Sequence, residues 1–143
     1  MLDDLDVLVF DKNITVETLI PGDIHVTVNL RQMQIALQSL TENAAKYTPP
    51  GGRIRFTASL EGRHAALCIS NSGPLIPEEE RESIFERFRR GNVLGENVNG
   101  HGLGLNIARE LIRAHGGDLK VRISDNLLNE FVMTLSVAEE KIL

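Results

Sequence analysis

Apolar residues in this chain recur at two spacings, and the switches between them mark the elements. Residues 14–20 (ITVETLI) and 24–28 (IHVTV) read as strands on either side of a Pro21-Gly22-Asp23 break. From 29 to 47 the spacing changes. Leu30, Met33, Ala36, Leu37, Leu40 and Ala44 recur three and four apart, which predicts a helix with one apolar face. Asn29 followed by Gln32 has the form of a capping box, worth about 1 kcal/mol at such an end. TPPGG (48–52) stops the helix. Ile54, Phe56, Ala58 and Leu60 then alternate, Glu61-Gly62-Arg63 turns the chain, and Ala65, Leu67 and Ile69 return on one face, so 53–70 predicts a hairpin.

The second half repeats these themes. PEEERESIFERF (77–88) predicts a helix, with a proline early and glutamates near its positive end. Residues 103–115 predict another, with Arg113 and His115 in the last turn and Gly116-Gly117 as its stop. DLKVRIS and EFVMTLSV close the chain as two strands. The loop from Gly91 to Gly102 runs to about a dozen residues, a length that in a compact domain usually serves function. Hairpins interleaved with helices predict an α+β fold. It is a two-layer α/β sandwich whose mixed, mostly antiparallel sheet is covered on one face by about three helices.

Composition narrows the function. The 143 residues suggest one domain, and 42% hydrophobic content is enough for a packed core. A net charge of −5 with scattered Lys and Arg argues against a nucleic-acid binder, which should show a basic face. Cys68, the single cysteine, lies in an apolar run and reads as a buried thiol. No apolar run approaches the ~18 residues of a membrane span, so direct membrane contact is not expected.

Candidate chemistry concentrates in three places. NGHGLGL (99–105) carries Gly100, Gly102 and Gly104 directly before a helix. Its spacing is neither G-x-G-x-x-G nor a P-loop. Bare backbone before a helix N-terminus lets an anion, most simply a phosphate chain, approach the unpaired N–H groups. A flexible loop closed by a glycine is the simpler alternative. In ENAAKY (42–47), Asn43 and Lys46 are three apart and Asn43 and Tyr47 four apart, hence neighbours on a helix surface. An amide oxygen suits Mg²⁺, a lysine suits phosphate, and a ring can lie along a sugar or base; the segment could equally be a solvated face. In NSGPLIP, Asn71 could read a base edge or merely make a turn.

Taken in order, these segments resemble the ATP-binding catalytic domain of sensor histidine kinases, in the superfamily shared with gyrase and MutL-type ATPases. LTENAAKYTPPGG is similar to that family's N box, ISNSGPLIP to its first glycine box, IFERFRRG to its phenylalanine box and GHGLGLNIARELIRAHGG to its second glycine box. The resemblance runs from about Lys12 to Val137 and implies roles for individual residues. Asn43 would coordinate Mg²⁺ on the ATP phosphates, Lys46 and Arg90 would face the phosphates, and Tyr47 would line the nucleoside. Asn71 would accept from the adenine amino group, Gly73 would leave room for the base and Ile76 would pack near it. Gly100, Gly102 and Gly104, with the N–H groups of Leu103 and Leu105, would bind phosphate. Residues 91–101 would form a lid rooted by Phe85 and Phe88. Glu42 stands where the ATPase branch has a water-activating glutamate. Its role is left open between proton transfer, tuning of the Mg²⁺ shell and simple exposure.

Four positions depart from the family pattern. Asn71 replaces an aspartate, which implies weaker base binding. Leu75 stands where a second glycine is frequent, and Ser39 where many relatives have asparagine. Asn129 replaces the usual serine or threonine, in a stretch (LLNEF) lacking the usual glycine. None of His25, His64, His101 or His115 follows the acceptor pattern, a histidine then an acid on a long helix. The resemblance therefore implies a cytoplasmic catalytic domain over 1–143. It would use ATP and Mg²⁺ and depend on a separate phosphoacceptor/dimerisation domain and a downstream response regulator. A nucleotide-sensing interaction module without phosphotransfer is the alternative, and a water-hydrolysing gyrase-type ATPase a third reading.

Overall fold

A computed structural model describes residues 9–86 and 104–137. Five strands form one sheet: β1 (Thr15–Leu19), β2 (Arg53–Glu61), β3 (His64–Asn71), β4 (Asp118–Ile123) and β5 (Asn129–Ser136). Their spatial order is β1-β2-β3-β5-β4, with β1 parallel to β2 and every other pair antiparallel. Two α-helices, α1 (Leu30–Tyr47) and α2 (Gly104–Ala114), and two single-turn 3-10 helices (Glu78–Glu80 and Ser83–Phe85) complete the described elements. The α+β sandwich expected from the pattern is the one observed.

The core lies between one sheet face and the helices. Ile54, Ile69, Phe131, Met133, Leu119 and Val121 meet Met33, Ala36, Leu40 and Ala44 of α1 and Ala108 and Ile112 of α2. The opposite face carries a row of registered side chains across all five strands: Glu17, Arg55, Ser70, Glu130 and Arg122. Ser70 Oγ donates to Glu130 Oε2 at 3.0 Å, and Arg122 Nε to Glu130 Oε1 at 2.8 Å. Arg55 Nε sits 3.5 Å from Glu17 Oε1, buried and with no hydrogen-bond partner, so the side-chain link at that end of the row is an ion pair.

Helix ends follow the expected chemistry, with one substitution of partner. Asn29 Oδ1 accepts from Gln32 N–H at 3.0 Å, as an N-cap should. The Asn29 N–H, which a capping box would give to the Gln32 side chain, goes instead to His115 Nε2 at 3.1 Å. His115 Nδ1 lies 2.8 Å from Leu111 O, so the ring links the end of α2 to the start of α1. Gly116 (φ +82°) and Gly117 close α2, their N–H groups reaching Arg113 O and Ile112 O.

Two expected elements take other forms. Residues 24–28 make only one antiparallel bridge, Val26 to Val137. β5 lies inside the sheet, paired with β3 and β4 over most of its length, so beyond this bridge it offers the segment no free edge. Residues 77–86 are two 3-10 turns rather than one helix. Apart from Ile84 and Phe85 the stretch has no apolar stripe to bury, and packing is what sustains most helices. Phe85 alone is buried, edge-on to Phe131 with centroids 6.1 Å apart and under the Arg109 guanidinium at 4.6 Å.

Three outcomes follow from these contacts. A Cβ on Gly117 would lie 1.8 Å from Thr134 O, so Gly117→Ala should cost about 3 kcal/mol or more in denaturant unfolding. Exposed Leu127 holds φ +59° in the β4–β5 turn, a conformation costing about 1–2 kcal/mol for an L-residue. Leu127→Gly should therefore raise stability by about 0.5–1 kcal/mol after glycine's own entropy loss. Acid dependence comes from two carboxyls. Burial works to raise Asp118, but hydrogen bonds from Arg113 and Leu119 N–H and the charges of Arg113 and Arg109 leave it below its ordinary 3.8. The hydrogen bond from Arg109 lowers Glu82 from its ordinary 4.5. Both release protons more readily folded than unfolded, so the unfolded chain binds more protons in acid. Their stabilisation is complete above those ordinary values and lost as pH falls through the folded ones. A Tm–pH series should decline below about pH 4.5, and Asp118→Asn should flatten it.

Candidate functional site

The apolar stripe of α1 turns Met33, Ala36, Leu40, Ala44 and Ala45 into the core. Glu42, Asn43 and Lys46 are left half-buried beside it, and Tyr47 exposed. Gln38 Nε2 donates to Glu42 Oε2 at 2.9 Å. The helix then stops at Thr48, fully buried, whose N–H and Oγ1 both reach Ala44 O. Lys12 Nζ donates to Ala45 O, Lys46 O and Thr48 O at 3.1, 2.9 and 3.0 Å, a cation at the negative end of the helix. Burial draws this ammonium below its ordinary value.

The loop after β3 folds onto that helix end. Asn71 is buried and its Nδ2 donates to Ser72 O at 3.0 Å. Ser72 N–H and Oγ pair with Arg53 O and N–H. Gly73 holds φ +134°, and a Cβ there would lie 3.1 Å from Pro49 Cδ and 3.2 Å from Tyr47 O. Gly73 is thus the residue that lets the loop lie against the end of α1. Ile76 packs half-buried on the core. Asn129 stands opposite Asn71 in the β3–β5 register; its Oδ1 accepts from Ile76 N–H at 2.8 Å and its Nδ2 donates to Pro74 O at 2.9 Å.

The start of α2 completes the arrangement. A Cβ on Gly104 would sit 3.7 Å from Ser39, one turn before Asn43, and Leu105 packs against the core. Arg109, buried on α2, pairs with Glu82 at 2.7 Å and covers Phe85.

The structure therefore brings Tyr47 beside Gly73 and sets Gly104 a turn from Asn43. It also puts Ile76 under Asn129, across from Asn71. Arg90, Gly100, Gly102, Leu103, Phe88 and the 91–101 loop lie outside the described residues. Lys12, Arg81 and Arg109 were not singled out from sequence. Their partners lie too far along the chain or on irregular backbone, so no periodicity announces them. Among the described residues no group of three or more His, Cys, Asp or Glu is placed to hold a metal ion. Toward the end of α1 the Asn43 amide and the neighbouring Glu42 carboxylate offer oxygen donors. That set suits a Mg²⁺ that keeps waters and takes its other ligands from phosphate. Also among the described residues, no helix is long and apolar enough to cross a membrane.

The chain is 39% identical over 112 residues to the sensor histidine kinase TmoS of Ectopseudomonas mendocina, covering 77% of this chain and 12% of TmoS. The solved mycobacterial sensor histidine kinase MprB superposes with TM-score 0.80 at 28% identity, over 96% of this chain and 93% of that one. The catalytic domain of histidine kinase ThkA gives 0.79 at 28% identity, over 94% and 88%. ThkA has also been solved in complex with the response regulator protein TrrA, where it matches with TM-score 0.75 at 26% identity, over 96% of this chain and 39% of that one. The chain thus spans a small fraction of the curated relative and nearly all of the solved catalytic domain. Residues 21–139 match the family described as histidine kinase-, DNA gyrase B- and HSP90-like ATPase, and the chain belongs to that family.

Proposed function

We propose that this chain is the ATP-binding catalytic domain of a two-component sensor histidine kinase. It passes the γ-phosphoryl group of ATP to a histidine on a separate dimerisation domain, from which a response regulator is served. The observation that carries the reading is the convergence of three segments far apart in sequence. The Asn71–Ile76 loop lies against the C-terminal end of α1, at Tyr47 and Pro49, and the glycine start of α2 lies against the middle of the same helix, at Ser39.

Phosphoryl transfer needs little covalent help from protein; it needs positioning and charge. Asn43, with Glu42 beside it, would hold a Mg²⁺ ion, which when bound neutralises phosphate oxygens. Lys46 and Arg90 add positive charge. The backbone at Gly100, Gly102, Leu103, Gly104 and Leu105 lets N–H groups at the positive end of α2 face the phosphates. Asn71 reads the base edge, and Tyr47, Gly73 and Ile76 line the nucleoside. The acceptor histidine comes from outside this domain, so the chain by itself does not complete the transfer. Its partners are that acceptor domain and a response regulator rather than nucleic acid or lipid. On this reading the work is done in the cytoplasm, and the input is received by another part of the parent kinase.

ATP with Mg²⁺, at about 100 times its Kd, should stabilise the chain by about 2.7 kcal/mol, a rise of a few °C in Tm. The rise should need both ligands and vanish in Asn43→Ala. No Mg²⁺-dependent rise at millimolar ATP would overturn the reading. Radiolabel from γ-labelled ATP should then appear on an added acceptor domain and not on this chain alone.

A further inference from the structure

The loop between β3 and the first 3-10 turn has an unusual difficulty. It contains Pro74 and Pro77, neither with an N–H, and it belongs to no ladder. Its polar backbone groups must find partners elsewhere. Side chains supply them. Asn129 takes Pro74 O and Ile76 N–H together, at 2.9 and 2.8 Å, and Arg81 Nε donates to Ile76 O at 3.2 Å. Ile76 is therefore held at both its N–H and its carbonyl. Asn129 is 4% exposed, so its amide is committed to this task.

Two of the family departures now fall together. A serine or threonine hydroxyl at 129 would offer its donor and acceptors from a single oxygen closer to the backbone, short of the reach that takes Asn129 to both Pro74 O and Ile76 N–H. A carboxamide carries both functions in one plane. A glycine at 75 would leave the loop loose, whereas Leu75 turns outward, 41% exposed, while Ile76 packs inward. Asn129 stands directly across from buried Asn71. The loop thus leaves β3 at the base-reading residue and is pinned back over that residue's cross-strand neighbour.

We infer that Asn129 is a positioning residue for nucleobase recognition. Acting through Ile76, it sets the wall against which the base packs beside Asn71. It makes base binding depend on a side-chain-to-backbone clamp rather than on a carboxylate. This rests on the nucleotide-binding reading above.

The test is calorimetric titration of the chain with Mg²⁺-ATP and with Mg²⁺-tripolyphosphate, which has the phosphates and no base. In Asn129→Ser the ATP affinity should fall about tenfold, the scale of a lost buried hydrogen bond or two, with tripolyphosphate affinity unchanged. Arg81→Met, which frees only the Ile76 carbonyl, should lower ATP affinity about threefold with the same selectivity. It decides the matter if Asn129→Ser does not fold. Equal losses for both ligands, or no loss of ATP affinity in a folded variant, would make Asn129 a structural pin and overturn the inference alone. A wild-type chain that binds tripolyphosphate no less tightly than ATP also overturns it, with the phosphate end standing. A wild-type chain that binds neither overturns the functional reading and the inference with it.

Discussion

The last turn of α1 is held from outside itself. A helix end leaves carbonyls without partners, and here an ammonium from a segment more than thirty residues earlier gathers three of them. That contact ties the chain preceding β1 to the point where α1 must stop. Thr48 is sealed beneath it, and Gly51 N–H and Thr15 N–H tie the same two segments again, through Lys12 O and Gly52 O. The candidate site residues of α1, Glu42 to Tyr47, lie within two turns of this end, and the loop after β3 rests against it. If the end of α1 frayed, Tyr47 would leave Gly73, and the loop would lose the surface it rests on.

A second constraint is the closeness of the two long helices near the site. Gly104 approaches Ser39 without crowding it, so the first N–H groups of α2 start beside the turn that carries Asn43. At the other end of the same pair, the imidazole of His115 joins the close of α2 to the cap of α1. The helices are fixed relative to each other at two places, one near the candidate phosphate end and one remote from it.

Much of this was legible in the sequence, and the reasons differ by element. Both long helices, the 53–71 hairpin and the last two strands follow from periodicity, because each buries one face against a single opposing layer. The parallel placement of β1 beside β2 did not follow. Apolar alternation reveals that a strand exists but not which edge it joins. Residues 77–86 depart from the expected helix because acids and an early proline describe a helix start equally well whether or not a core-facing stripe follows. Within the site, the recurring spacing of Asn43, Lys46 and Tyr47 marked one helix surface, and the glycines marked close approach. The clamp by Asn129 was invisible as chemistry, since an asparagine before a strand reads as turn material until its two backbone partners are seen. Arg109 was likewise hidden, its carboxylate partners Glu82 and Asp118 lying on separate segments.

The ring of His115 carries one further meaning. With Nδ1 as donor to Leu111 O, the Nε2 lone pair is the acceptor for Asn29 N–H, so each ring nitrogen has a backbone partner. A nucleophile attacks phosphorus through a lone pair, and the Nε2 pair of this ring is engaged by the Asn29 N–H, 86 residues away in sequence, at the cap of the other long helix. The imidazole of His115, in the segment similar to the second glycine box, is in this fold a brace between two helices.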